Sequence, residues 1–470
     1  MQAELSGMLV ITLMLGGWIG IVEWITRHTS ISPEWSRKLV HLGGGAGCLL
    51  FPWLLSHPLA VLVLAVGFGV SLWLAEKGGL LQSLCRVKRQ SYGSLYYPFA
   101  IAALFWLTHD DYGLYMSAVL VLTVADTAAA LVGARFGRVR FRTGGVVESK
   151  SLEGSIAFWV VTFLAVLLPL VLIKSDVSVM QSLLSAFLAA TLLTMVEAVS
   201  IGGRDNLFVP LIAAFLLLKT VTKSTPELMM QSVSILILFA LLPVVNRYGR
   251  LLRTKNLMIM SIILYGVWSL GSVDWAVPLL VAILVFLLVF VFTGGRQRRT
   301  LVYRRMVLLA TPAATLMLLA NLTGMFHFLY GLFLAAVLVP VVFGVVVQLG
   351  KGRTGWRWSW PQLAGGVIAV AAVLAEPVVM RRAPDTTAVW LLAGVVLLAV
   401  WLGIGIMTVQ SHPTGGVGAF LTVLGAVIVV GVCQYTGIFK PWRPLLWADV
   451  YGREADVLLP WRPDVGGGAQ

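Results

Sequence analysis

Charge is what this chain has least of: Asp, Glu, Lys and Arg make up 11% of its 470 residues, against 59% hydrophobic ones. Soluble globular domains carry about 25% charged residues, so a water-soluble globule is excluded. Cysteine is scarce too. Cys48, Cys85 and Cys433 are the only three, too far apart for a Cys-x-x-Cys site and without the spacing of a disulfide framework. The six histidines never fall in a His-Glu-x-x-His pattern, and neither Gly-x-x-x-x-Gly-Lys-Ser/Thr nor Gly-x-Ser-x-Gly occurs. Zincin, P-loop and nucleophile-elbow chemistries therefore lack their residues. There is no tandem repeat and no low-complexity linker beyond a short glycine tail.

What fills the chain instead is a succession of apolar runs, the first at residues 8–26 and the last at 417–437. A helix needs ~20 apolar residues to cross a ~30 Å hydrocarbon core. Inside lipid each backbone N–H and C=O must be bonded within its own segment or in a closed barrel, and barrel strands alternate, whereas these runs are continuously Leu, Val, Ile and Ala. The expectation is an all-α, polytopic integral membrane protein with about 16 transmembrane helices. The first run lacks a basic stretch before it and a small-residue cleavage site after it, which reads as a retained helix. Residues 1–250 hold the chemistry-bearing side chains. Residues 251–470 have few intramembrane charges and no motif with a chemical role, and read as a second helical membrane domain of unknown purpose.

The net charge of +14 raises the question of nucleic acid, and the position of the basic residues answers it. With the short N-terminus outside, the loops that fall inside hold 25 of the 34 Lys and Arg residues. That is the positive-inside bias, and no nucleic acid is needed to explain it. It puts Arg37-Lys38, the 135–154 loop and residues 202–206 on the cytoplasmic face of what is expected to be a bacterial cell membrane.

Four clusters lie on that face. In "VADTAAALVGARFG", Asp126 sits within an apolar run, and on a regular helix Ala130, Gly133 and Gly137 fall about 40°, 20° and 20° from it. Small residues there suit either a helix packing seam or the close approach of a phosphate. The carboxylate is the harder feature to explain by packing, because burying it costs roughly 2.5–3.5 kcal/mol. In "ESKSLEGS", Lys150, Ser151, Glu153 and Gly154 combine a cation, a hydroxyl, a carboxylate and a flexible residue just before a helix. They suit phosphate with a divalent cation, or simply a helix start capped by Ser151 or Ser155 with Glu153 in the first turn. In "SRKLVHLGGGAG", Arg37, Lys38 and His41 share one helical face before three glycines. Finally "MVEAVSIGGRDNLFVP" puts Glu197 near the end of one run, then paired glycines, then Asp205-Asn206 at the start of the next. An N-cap role would account for Asp205 but not for Glu197.

Taken in order, Arg37-Lys38 with His41, Asp126-x₆-Gly133, Lys150-Ser151-x-Glu153-Gly154 and Glu197 followed by Asp205-Asn206 resemble the CTP-dependent lipid-alcohol kinases, the family of dolichol, phytol and CTP-dependent diacylglycerol kinases. The resemblance spans residues 36–218. It implies transfer of the γ-phosphoryl group of CTP, with Mg²⁺ or another divalent cation, to the hydroxyl of a lipid alcohol in the bilayer. On that reading Arg37, Lys38, Gly133, Lys150, Ser151 and Gly154 contact the nucleotide, and Asp126 with Glu153 holds the metal. Glu197 or Asp205 serves as a further ligand or as the base. The related phosphatidate cytidylyltransferases are the rival, but their C-terminal Lys-Arg…Pro-Gly-His-Gly-Gly…Asp-Arg signature has no counterpart here. An ion-coupled transporter is a third reading, disfavoured because the charges gather at one face and not at the midplane.

Overall fold

The computed structural model describes residues 2–79, 93–142, 149–249, 254–293, 299–350, 359–409 and 415–452, together with 454 and 457. Cys85, Gly144 and Gly145 lie outside them. The described chain is helical almost throughout, and it divides into two compact units, residues 1–234 and 235–470.

The first unit contains α1 (Gln2–His28), α2 (Pro33–Cys48), the short α3 (Phe51–Leu54), α4 (Pro58–Lys77), α5 (Gly93–Thr108) and α6 (Tyr112–Phe136). A hairpin of two short antiparallel strands follows, β1 (Arg140–Arg142) and β2 (Ser149–Ser151). The fold is therefore not helical to the last residue. After it come α7 (Leu152–Leu172), α8 (Val179–Val199), α9 (Asp205–Thr220) and the start of α10 (Thr225–Gly249). Local chemistry sets the helix starts. Ser32 caps α2 by accepting from Trp35 N, with Pro33 at the first position, where its missing N–H costs nothing. Ser178 and Gln181 close a reciprocal capping box on α8. At the end of the bundle away from Arg37, Asp111 caps α6 and pairs with Lys174 at 2.6 Å, tying α6 to the end of α7.

The second unit packs α12 (Val273–Phe292), α13 (Arg299–Thr323), α15 (Trp360–Val379), α16 (Thr386–Val409) and α17 (Gly415–Tyr435) around α14 (Phe326–Leu349), with α11 (Thr254–Leu270) against α13 and α12. α14 is apolar on every side and is buried along most of its length, as expected of a helix at the centre of a bundle. One end is stapled by Asp274, whose Oδ2 pairs with Arg382 and accepts from Leu445 N, both at 2.6 Å.

Seven helices among the described residues are long and apolar enough to cross a membrane: α1, α4, α6, α7, α8, α14 and α15. Another seven have apolar stretches of 10–17 residues, α5 among them. The protein is thus an all-α membrane protein apart from its small hairpin.

Candidate active site

The site is built on α2, and the three consecutive glycines of that helix point at three different neighbours. A side chain at Gly43 would run into Trp18 of α1, and one at Gly45 would lie 1.9 Å from Thr123 Cγ2 of α6. Gly44, between them, faces a cavity. The absence of side chains at Gly43 and Gly45 lets α2 wedge between α1 and α6, which no larger residue would permit.

That wedge brings the polar end of α2 against Asp126. The Lys38 ammonium, on a side chain only 2% exposed, lies 2.5 Å from Asp126 Oδ2 and 3.3 Å from its carbonyl oxygen. His41, one turn on, places Nε2 3.2 Å from the same carboxylate oxygen and 2.8 Å from the Leu122 carbonyl. The carbonyl belongs to a π-helical turn, Val121–Ala125, immediately before Asp126. Such turns widen the helix and take carbonyls out of the regular ladder, and they recur at functional sites. A uniform α-helix through 112–137 is the simplest expectation from the sequence, and this turn departs from it. The segment from Asp126 to Phe136 is regular again.

A second ion cluster sits beside the first. The Lys150 ammonium bonds to Glu197 through both the carboxylate and the carbonyl oxygen, the latter at 2.5 Å, and lies 3.6 Å from Asp205 Oδ2. Burial alone would pull the Lys150 pKa down, but the Glu197 and Asp205 carboxylates outweigh it and hold the ammonium above its ordinary value. The geometry depends on Gly202 and Gly203, whose φ angles of 70° and 79° are open to glycine at no steric cost. They reverse the chain so that α8 and α9 both present a carboxylate to one lysine.

The small residues of "ALVGARFG" form a seam with α7. A Cβ at Gly137 would lie 2.8 Å from Ser151 Cβ, and one at Gly154 would lie 2.8 Å from the Ala129 carbonyl. Gly133 is slightly freer, 3.0 Å from Ser151 Oγ. Ser151 caps α7, its Oγ accepting from Gly154 N at 3.1 Å. Glu153 accepts from Arg138 N and Val139 N through Oε1, at 3.0 and 3.1 Å. It does not stand beside Asp126, because the regular helix between Asp126 and Phe136 rises ~15 Å.

The clusters open onto a cavity of about 420 Å³. Its polar end is lined by Arg37, His41, Asp126, Asp205 and Asn206, and its other walls include Leu15, Phe51, Val61, Leu64, Phe68 and Ile101. Glu34, Arg37, His41, Gly44 and Cys48 line it from a single face of α2. From Arg37 to Cys48 that face descends ~16 Å, about half of a ~30 Å hydrocarbon core. Lys38, Lys150 and Glu197 back this wall without lining it. Two contributors are not evident from sequence motifs: the Leu122 carbonyl, and Tyr97, whose ring meets that of His41 edge-on at 4.7 Å. Asn206, from the Asp205-Asn206 motif, donates through Nδ2 to the Gly93 carbonyl at 3.1 Å. The only sequence hint of Tyr97 is its place at the polar entrance of an apolar run.

No family model and no solved structure matches the chain. It is similar to a phytol kinase of Synechocystis sp., with 34% identity over 206 residues, which is 43% of this chain and 86% of that protein. A cavity polar at one end and apolar over one leaflet's depth, in a chain this similar to a phytol kinase over most of the latter's length, places the protein in the family of CTP-dependent lipid-alcohol kinases.

Proposed function

We propose that the protein transfers the γ-phosphoryl group of CTP to the hydroxyl of a single-chain, phytol-like alcohol at the cytoplasmic face of the membrane. The observation that carries this is the cavity. A lipid alcohol needs an apolar channel for its chain and a charged end for its hydroxyl, and α2 supplies both on one face. A depth of one leaflet suits a phytol-like chain better than a longer polyprenol, and the similarity to a phytol kinase favours it over diacylglycerol.

Phosphoryl transfer asks for positioning and for neutralisation of charge. Arg37, at the polar end, is placed to meet the triphosphate. Lys38 holds Asp126, and Lys150 holds Glu197 and Asp205. Gly133, Gly154 and Ser151 keep α6 against α7, and Glu153 fastens the hairpin entrance to the start of α7. Mg²⁺ is commonly bound by one or two carboxylates, with phosphate oxygens and water completing its shell. Asp126 and Asp205 both line the cavity, and the described residues contain no group of three or more metal-ligating side chains. That donor set fits an ion shared with the triphosphate: Lys38 and His41 both bind Asp126 Oδ2, which leaves Oδ1 for a cation. When bound, the ion supplies neutralisation of the phosphate charge.

The experiment is to supply purified protein with phytol-like, polyprenyl and diacylglycerol acceptors and with CTP labelled at either the γ- or the α-phosphate. The expected result is γ label in the phytol-like alcohol. Label from the α position would identify a cytidylyltransferase and overturn the proposal.

A further inference from the structure

We propose that Phe51 closes the deep end of the cavity and sets the longest alcohol the protein accepts, a role that rests on the lipid-kinase reading above. The two ends of the cavity differ in access. At the polar end the Glu34 and Arg37 side chains are 36% and 31% exposed. From there α2 descends to Cys48, α4 returns from Val61 to Glu76, and α5 descends again from Gly93 to Ile101, so the deepest lining residues are Cys48, Phe51, Val61 and Ile101. None of these four is more than 3% exposed. A cavity open at its polar end and shut by apolar side chains at the other measures chain length. Each methylene buried adds to binding until the chain meets the floor, and beyond that point it overpacks.

A floor can measure length only if it keeps its place. Phe51 opens the four-residue helix α3, which is fastened from two sides. On the side of α1, a Cβ at Gly7 would lie 2.1 Å from the Leu54 carbonyl oxygen, so the two backbones are in direct contact, and Glu4 Oε1 accepts from Ser56 N at 2.8 Å. On the side of α6, the Tyr115 hydroxyl donates to the Cys48 carbonyl at 2.8 Å, and the Tyr112 ring meets that of Trp53 at 4.6 Å. None of these contacts is made by the Phe51 ring. The frame is therefore held independently of the side chain that stands in the cavity, and of the four deep residues Phe51 has the largest one. Its bulk decides where a bound chain stops.

The test moves the floor in both directions: Phe51→Leu and Phe51→Ala lower it, and Phe51→Trp raises it. Farnesol, geranylgeraniol and geranylfarnesol, each one isoprenoid unit longer than the last, are supplied with γ-labelled CTP, and kcat/KM is measured for each alcohol together with the KM for CTP. One methylene more or less in an apolar pocket changes kcat/KM by roughly 10–200-fold, so the preference between neighbouring alcohols should shift by at least ~10-fold. The shift should run toward the longer alcohol in Phe51→Ala, less far in the same direction in Phe51→Leu, and toward the shorter one in Phe51→Trp. The KM for CTP should stay at its wild-type value, because Phe51 lies beyond Cys48, itself ~16 Å along α2 from Arg37. Unchanged ratios among the three alcohols in Phe51→Leu and Phe51→Trp would overturn the proposal whatever the total activity, since damage to the fold lowers all three alike. If the wild-type protein transfers γ label to no lipid alcohol, the kinase reading itself fails and the proposal falls with it.

Discussion

Asp126→Asn removes one charge from a pair whose other member has nowhere to go. The Lys38 side chain is 2% exposed, and the Asp126 side chain 16%. Lys38 lies within the packed wedge of α2, so it cannot swing out to water when its partner is neutralised. Breaking a buried pair from one side costs about 3–5 kcal/mol, because the remaining charge is buried without compensation. Asp126 is slightly open to the cavity, so the lower part of that range applies, about 3 kcal/mol, a shift of roughly 100-fold in the folded population. A carboxylate considered alone in an apolar run would be neutral or favourable to remove; the ion pair reverses that sign. Lys38→Met should cost about as much, since it leaves the Asp126 carboxylate buried without its ammonium partner. The double variant removes both charges and should return to within about 1 kcal/mol of wild type, giving a coupling of at least ~2 kcal/mol. Unfolding in mixed micelles, followed by tryptophan fluorescence, measures the three stabilities. Phosphoryl transfer should be lost in all three, so the double variant would be folded and inactive. An Asp126→Asn protein as stable as wild type, or a double variant no more stable than that single one, would refute the reasoning.

Three further outcomes follow from the same geometry. A side chain at Gly44 would meet only Tyr97, at 4.0 Å, whereas one at Gly45 would collide with Thr123. Gly44→Leu should therefore fold normally yet raise the KM for lipid at least tenfold, and Gly45→Ala should lose about 1–3 kcal/mol through overpacking. An unchanged lipid KM in Gly44→Leu would show that the chain binds elsewhere. Lys150 has a pKa raised above its ordinary value by Glu197 and Asp205, so its stabilisation is fully present below about pH 10.4 and is lost only as pH rises through the folded value. Melting in detergent should be flat over about pH 7–9.5, and a wild-type loss within that window that Lys150→Met abolishes would contradict the pairing.

The membrane character was legible because the bilayer sets a length and forbids unpaired backbone, and both constraints act on composition alone. The number of crossings was less so. α2 shows why: its lining of a polar-ended cavity gives it Glu34, Arg37 and His41, its ion pair with Asp126 gives it Lys38, and its packing gives it glycines, so its hydropathy is low for a helix buried among membrane helices. Function depresses the very signal by which a span is counted.

The chemistry-bearing residues could be picked out singly, since charge within an apolar run is costly wherever it stands. Their partners could not, because Lys38 and Asp126 are 88 residues apart and Lys150 and Glu197 are 47. No periodicity reaches across such distances. The contact of His41 Nε2 with the Leu122 carbonyl lies further still from sequence, for it depends on a π-helical turn against which α2 can settle only because residue 45 is glycine. Triple glycine in a membrane helix suggests close packing in general. What it achieves here is narrower: one glycine admits Trp18, one admits Thr123, and the one between them leaves room for a ligand, so that the register of α2 places Lys38 and His41 together on a single carboxylate.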